Sequence, residues 1–177
     1  MEITVGLLSP SDIDSQAVET MWSIYDNAFA GANQNTPCKQ SYDRNQFDQV
    51  LSDDRIHKWV VRVDGHIVGV GFVTNHLECV PWISVAYFKK HHSDLFDKGL
   101  VYYLLGIAVD SQLSSIAPGK ELLSKMIGSL PEVASVVFDH SETANPAIAV
   151  FAKRALPRRF KHEVLDHQIY VMCRWSE

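Results

Sequence analysis

Three short stretches carry residue types that could do chemistry together. Ser114-Ser115-Ile116-Ala117-Pro118-Gly119-Lys120 is a small-residue loop leading into a helix, Tyr102-Tyr103 lies on the apolar run before it, and His140 closes Ser135-Val136-Val137-Phe138-Asp139 after it. The first N–H groups of a helix have no partner inside the helix, so a loop-to-helix junction is a ready anion site. Pro118 suits an early helical position because its missing N–H is not needed there, and Lys120 adds a positive charge at the same place. An imidazole titrates near neutral pH, which makes His140 the best single candidate for moving a proton; the competing reading is a capping or turn residue. Tyr102 and Tyr103 point to opposite faces of a regular strand. Whichever faces a cleft could supply an acid or hold a substrate, although most aromatic strand residues are core.

The elements that must position these residues are legible from periodicity. Ile3 to Leu8 is a first strand, and Ser11 or Asp12 can cap a helix whose Val18, Met21, Trp22, Tyr25 and Phe29 recur at spacings of three and four. The loop GANQNTPC is expected to break that helix, and a second runs from about Tyr42 to Leu51. Val60, Val61 and Val63 before Asp64-Gly65, with Ile67, Val68, Val70 and Phe72 after, form a β-hairpin on a two-residue turn that tolerates positive φ. Gly69 and Gly71 mark a bulge or a close backbone approach in its second strand. Between Thr74 and Leu100, Pro81 to Phe88 is expected to begin a helix that Lys89-Lys90-His91-His92 ends, with positive charge near the negative end of the dipole. Leu100 to Val109 is an apolar strand, and Leu122, Leu123, Met126 and Ile127 follow at helical spacing. Ser135 to Asp139 reads as a buried strand, and Phe160 to Val164 and Gln168 to Trp175 as two more, joined by a turn at Leu165-Asp166-His167.

A strand followed by such a turn and helix could serve a nucleotide, a flavin or coenzyme A. A Walker loop needs Gly and a Lys-Ser or Lys-Thr pair that are absent, and a dinucleotide fingerprint needs three glycines where only Gly119 stands. What remains resembles the GCN5-related N-acetyltransferases over most of the chain, from about Ile3 to Trp175. The resemblance implies an α+β fold in one domain over residues 1–177: a mixed, largely antiparallel sheet of six to seven strands flanked by four to five helices. In that family the strand before the loop opens from its neighbour and pairs with the pantetheine arm, at positions that match Ile107, Ala108 and Val109 here. The pyrophosphate loop has Arg or Gln, two variable residues, Gly, one variable residue, then Gly or Ala. Ser114, Ala117 and Gly119 fall on the three fixed positions, with Ser115 and Lys120 as further phosphate donors. Asn145, in Asn145-Pro146-Ala147-Ile148-Ala149-Val150-Phe151, matches a residue whose side chain commonly contacts the cofactor. The position where many members have a thiolate-protonating tyrosine falls on Phe151, which has no proton to give.

The activity the resemblance implies is transfer of an acetyl group from acetyl-CoA to a primary amine of a small molecule or peptide, with His140 as base and Tyr103 as a second catalytic candidate. The competitor is a catalytically silent acyl-CoA-binding or interaction module on the same fold. The helices and loop of the N-terminal half usually wall the acceptor site in this family. No Lys or Arg precedes Lys39, while Glu2, Asp12, Asp14, Glu19 and Asp26 do. These acids either welcome a cationic amine or are solvated helix positions. The aromatic residues of the 74–100 segment either shape a lid over the acceptor or pack as a helix or dimer contact. Lys153, Arg154, Arg158 and Arg159 meet a 3′-phosphate or sit at a solvated helix end.

At 177 residues, with 46% hydrophobic content, the chain can bury a substantial single core. A net charge of −5 argues against a general nucleic-acid surface. Cys38, Cys79 and Cys173 are isolated and odd in number, which suggests neither a zinc cluster nor a disulfide framework. Adjacent His91 and His92 diverge on a helix, and no carboxylate spacing completes a metal ligand set. The start MEITVGLL lacks the pattern of a signal peptide, and the longest apolar run is too short for a bilayer. The expectation is a cytoplasmic protein with no membrane partner, in which a homodimer is possible.

Overall fold

A computed structural model describes residues 2–9, 12–35, 41–113, 115–141 and 163–166. Five strands form one sheet in the order β1 (Ile3–Leu7), β2 (His57–Val63), β3 (His66–Thr74), β4 (Val101–Val109), β5 (Ser135–Val137). All neighbours are antiparallel except β4 and β5, which run parallel. Helices α1 (Ser15–Asn35), α2 (Arg44–Ser52), α3 (Val85–His91), α4 (Ser93–Phe96) and α5 (Ala117–Gly128) surround it, with a 3₁₀ turn at Leu77–Cys79. The class is the expected α+β, with five helices as anticipated and five strands among the described residues rather than six or seven. Glu163 and Val164 carry no strand. The rest of the two C-terminal strands lies outside the described residues.

The hairpin is as its sequence dictates: Asp64 (φ 47°) and Gly65 (φ 84°) both take positive φ, the two-residue turn whose twist matches the strands it joins. The first helix departs from expectation at both ends. Asp12 turns back to accept from the Ser9 N–H and hydroxyl at 3.0 and 2.8 Å. Asp14 takes the capping role, accepting from the Ala17 N–H at 2.7 Å. The helix also runs on through Gly31 to Asn35, whose amide donates to the Gly31 carbonyl at 2.6 Å. Helix α2 is fixed by a capping box between Asp43 and Gln46. Helix α3 starts at Val85 under a Ser84 cap, four residues after Pro81, and its last turn carries Lys89, Lys90 and His91. Strand β5 ends two residues early, at Val137, and is half-buried rather than buried.

The sheet separates two cores. One lies under α1 and α2 and holds Met21, Tyr25, Phe47, Phe72 and Tyr103; the other lies under α5 and holds Val61, Val73, Tyr102, Leu122 and Met126. Gly71 lets α5 seat closely, since a Cβ there would stand 2.5 Å from Met126 Sδ. The close backbone approach is thus the reason for this glycine. No helix among the described residues is long and apolar enough to cross a membrane.

Candidate active site at the opening of strands β4 and β5

Strands β4 and β5 pair only from Val101–Ser135 to Tyr103–Val137. Beyond Tyr103, β4 continues for six residues, still paired with β3 as far as Val109. Among the described residues its other edge has no strand partner from Leu104 to Val109. The register against β3 skips Leu105, because Phe72 faces Gly106 while Val73 faces Leu104. An extra residue of this kind bends a strand, and it falls immediately after the last pair with β5. Ile107 and Val109 are half-buried and Ala108 is buried, so a free backbone edge runs through a mostly apolar setting.

That edge leads through Asp110 to α5. Ser115 Oγ accepts from the Ala117 N–H at 3.1 Å, one residue ahead of the N-cap Ile116, whose own side chain makes no capping bond. Pro118 has no N–H, and the Lys120 N–H is bonded to the Ile116 carbonyl at 3.1 Å. The Gly119 N–H has no acceptor among the described residues. A Cβ on Gly119 would stand 3.2 Å from Val109 Cγ2, so this glycine also lets the helix lie against β4. Lys120 and Ser115 are exposed, and Ile116 presents 77% of its surface to solvent at the helix start. Ser114 and Asn145 lie outside the described residues, as do Phe151, Lys153, Arg154, Arg158 and Arg159.

At the vertex of the opening the arrangement is different. The Trp82 indole N–H donates to the Tyr103 hydroxyl at 2.9 Å, and that hydroxyl donates to Asp139 Oδ1. Burial, then the neighbouring Asp139 carboxylate, pushes the Tyr103 phenol well above its ordinary value. Its proton is therefore held, and Tyr103 acts by position rather than by titrating. Trp82 also packs on Tyr42 with ring centroids 5.6 Å apart, and Tyr42 stacks on Tyr25 at 5.8 Å. The Tyr42 N–H donates to the Tyr25 hydroxyl at 3.2 Å, and burial pushes the Tyr25 phenol up to about 12.

Of the two sequence-selected catalytic residues, Tyr103 is at this vertex and engages Asp139, not His140. His140 stacks on Phe138 with centroids 6.2 Å apart, and its Nδ1 is buried without a partner among the described residues. Asp139 shares its side of the chain with Val137, the pairing partner of Tyr103. That two-residue alternation was the signal for Asp139; Trp82 had no signal beyond being aromatic in an unusual segment. Of the N-terminal acids, Asp12 and Asp14 shape the start of α1, and Glu19 accepts from Arg44 at 2.7 Å.

This architecture is similar to that of several solved N-acetyltransferases. An aminoglycoside acetyltransferase from an uncultured soil metagenomic sample, solved with sisomicin, superposes with a TM-score of 0.60 at 16% identity, over 96% of each chain. The ribosomal-protein-S18-alanine N-acetyltransferase from Escherichia coli gives 0.54 at 14% identity, over 86% of this chain and 76% of that one. An aminoglycoside antibiotic 6'-N-acetyltransferase from Acinetobacter baumannii gives 0.52 at 12% identity, over 99% of this chain and 100% of that one. At these identities the likeness is one of fold. No family model matches the chain, and no curated protein matches it in sequence.

Proposed function

We propose that the protein is an N-acetyltransferase that moves an acetyl group from acetyl-CoA to a primary amine of a small molecule or peptide, working as one domain in the cytoplasm. The observation that carries this reading is the opening of β4 from β5 beyond Tyr103, with an unpaired strand edge that ends at a helix N-terminus. The edge at Ile107, Ala108 and Val109 suits the amide groups of a pantetheine arm, because an unpaired strand offers alternating donors and acceptors. On this reading the Ser115 hydroxyl, the Gly119 N–H and Lys120 hold the pyrophosphate, and Ala117 leaves the backbone approachable. Ser114 and Asn145 complete the set that the family resemblance implies.

Acetyl-CoA supplies the activated acyl group as a thioester; the protein's task is orientation and proton removal. Two groups follow β5 and leave the chain on opposite sides. His140 has an unpartnered, buried Nδ1 that can accept a proton, and Asp139 is held by Tyr103. Either faces the ammonium, and the pH profile of His140→Ala separates them. An unchanged profile at saturating amine removes His140 from the reaction.

A second reading, a silent acyl-CoA-binding module, is favoured by the apolar Ile116 where a phosphate would approach and by Phe151 at the position of the usual acid. Thermal unfolding with acetyl-CoA, free coenzyme A or ATP tests the shared premise. Ligand at about a hundred times its dissociation constant adds about 2.7 kcal/mol, a rise of several degrees. A rise with both coenzymes and none with ATP supports the donor site, and thiol release on adding amines then separates enzyme from module. No rise with any ligand overturns both readings.

A further inference from the structure

A lysine stands in the core-facing row of β2. Lys58 shares its side of the strand with Val60, which packs in the core under α1 and α2, and only 7% of it is exposed. Its ammonium donates to the Asp53 carbonyl, at the end of α2, at 2.6 Å. That carbonyl already accepts from the Ile56 N–H at 3.0 Å, so it is satisfied without the lysine. An ammonium has three donors, and the other two of Lys58 have no acceptor among the described residues. A lysine is rarely buried without an ionic partner, and burial pulls this one below the ordinary lysine pKa. The side chain lines a cavity of about 360 Å³ whose apolar walls are Leu7, Leu8, Ile13, Leu51 and Ile56. That volume is within the range of small-molecule sites. Leu7 is 55% exposed, which leaves apolar surface for a ligand to cover. The cavity lies at the β1–β2 edge of the sheet, and β3 separates that edge from β4, so it is no part of the opening between β4 and β5.

We infer that this cavity is a binding site for a small aliphatic carboxylate, with Lys58 as its charge partner and Leu8, Ile13, Leu51 and Ile56 around its carbon chain. The carboxylate oxygens accept from the two spare N–H groups, a charge-assisted pairing that compensates the buried ammonium. The chain displaces water from the apolar walls. The exposed polar walls, Asp54 and His57, narrow the choice of guest. Asp54 has no hydrogen bond or ion pair among the described residues, and its charge repels a second negative charge. A monoanion is therefore favoured over phosphate or a dicarboxylate. A cationic guest would meet the charge of Lys58 instead of an acceptor. The guest needs no amine, so the site is separate from any acetyl acceptor and does not rest on the acetyl-transfer reading.

The test uses the full chain and the Ile13 and Ile56 side-chain signals in methyl NMR, assigned by their loss in Ile13→Val and Ile56→Val. Titration with isocaproate should shift both signals saturably. Isohexanol, which keeps the carbon chain, and acetate, which keeps the charge, should each bind about tenfold more weakly or worse. Lys58→Met keeps the buried stem and removes the ammonium, and should lower the isocaproate affinity about tenfold or more. Asp54→Asn acts at an exposed side chain with no bond to lose. It should raise the affinity about two- to fivefold at low salt, with the gain shrinking at high salt. The absence of a saturable shift, an equal affinity for isohexanol, or an undiminished affinity in Lys58→Met overturns the site and leaves Lys58 as a tie between β2 and the end of α2. Should Lys58→Met not fold, an isocaproate affinity unmoved in Asp54→Asn overturns it equally.

Discussion

Tyr103 and Gly119 stand at the two ends of one strand-to-helix path, and their surroundings differ in kind. Around Tyr103, side chains from α1, the segment before α2, the loop before α3, β4 and the end of β5 meet: Tyr25, Tyr42, Trp82 and Asp139. Its hydroxyl both accepts and donates. Around Gly119 the described groups are few: the exposed side chains of Ser115 and Lys120, and the N–H of the buried Gly119. The first region is organised by hydrogen bonds and ring packing within the fold; the second offers a helix start and one exposed lysine. On the acetyl-transfer proposal, geometric selectivity lies at the end proposed for the acceptor, and the end proposed for the donor binds through the shape of the opening more than through phosphate contacts.

The strongest way to break the contrast is to remove the support of the acceptor end. Phe47 is fully buried and touches Trp22, Tyr25 and Phe72, with ring centroids 5.1 to 5.7 Å away. Phe47→Ala is expected to cost about 3–5 kcal/mol, read as a lower urea midpoint at unchanged slope. If the acceptor end were a loose surface feature, the loss would stay below about 1 kcal/mol.

Alkali probes the same region without a mutation. Tyr25 is pushed up to about 12 by burial, and Tyr42 and Tyr103 are raised further. An unfolded tyrosine ionises near 10, so the unfolded chain loses its phenolic protons first. Stability from these groups is complete below about pH 10 and is lost as pH rises through 12, with about 3 kcal/mol from Tyr25 alone. Unfolding free energies between pH 9 and 12 should fall steeply, and the fall should be shallower in Tyr25→Phe. A parallel decline in both proteins would show that Tyr25 is not held neutral by the fold.

At the donor end the corresponding effect is smaller. Ser115→Ala leaves the Ala117 N–H without its acceptor and is expected to cost about 1 kcal/mol, with a weaker response to acetyl-CoA and no change in the alkaline stability profile set by Tyr25. A change in both would mean that the two ends are mechanically one unit.

How much of this was readable beforehand follows the same division. The hairpin, the buried face of α5 and the strand-to-helix junction were legible because turn chemistry and periodicity are local signals: Asp64-Gly65 and Leu122, Leu123, Met126 and Ile127 sit where the pattern puts them. The extension of α1 through Gly31 was not, since Gly and Asn are poor helix formers and the bond from Asn35 back to Gly31 has no composition signal. The chain from Trp82 through Tyr103 to Asp139 joins residues 21 and 36 positions apart. Only the pairing of Tyr103 with Val137 puts Asp139, rather than His140, on the Tyr103 side. Long-range register of that kind is not contained in either segment.

The finest discrimination comes from Ile116, whose side chain is exposed at the start of α5 and caps nothing. Ile116→Arg places a second cation near Lys120 at a position where an anion would dock, and Ile116→Asp places a carboxylate there. The two substitutions oppose each other twice. A carboxylate favours the positive end of the helix dipole and an arginine disfavours it, by about 0.3–1 kcal/mol each, so Ile116→Asp should raise the thermal midpoint of the free protein and Ile116→Arg lower it. A bound pyrophosphate reverses the order: acetyl-CoA affinity should rise about two- to fivefold in Ile116→Arg and fall by a similar factor in Ile116→Asp, with both changes shrinking at high salt. Isothermal titration with acetyl-CoA at low and high ionic strength reads the second effect, and unfolding without ligand reads the first. If affinity followed stability instead of opposing it, the phosphates would not lie at this helix end, and the sparse donor region would be the solvated start of a packing helix.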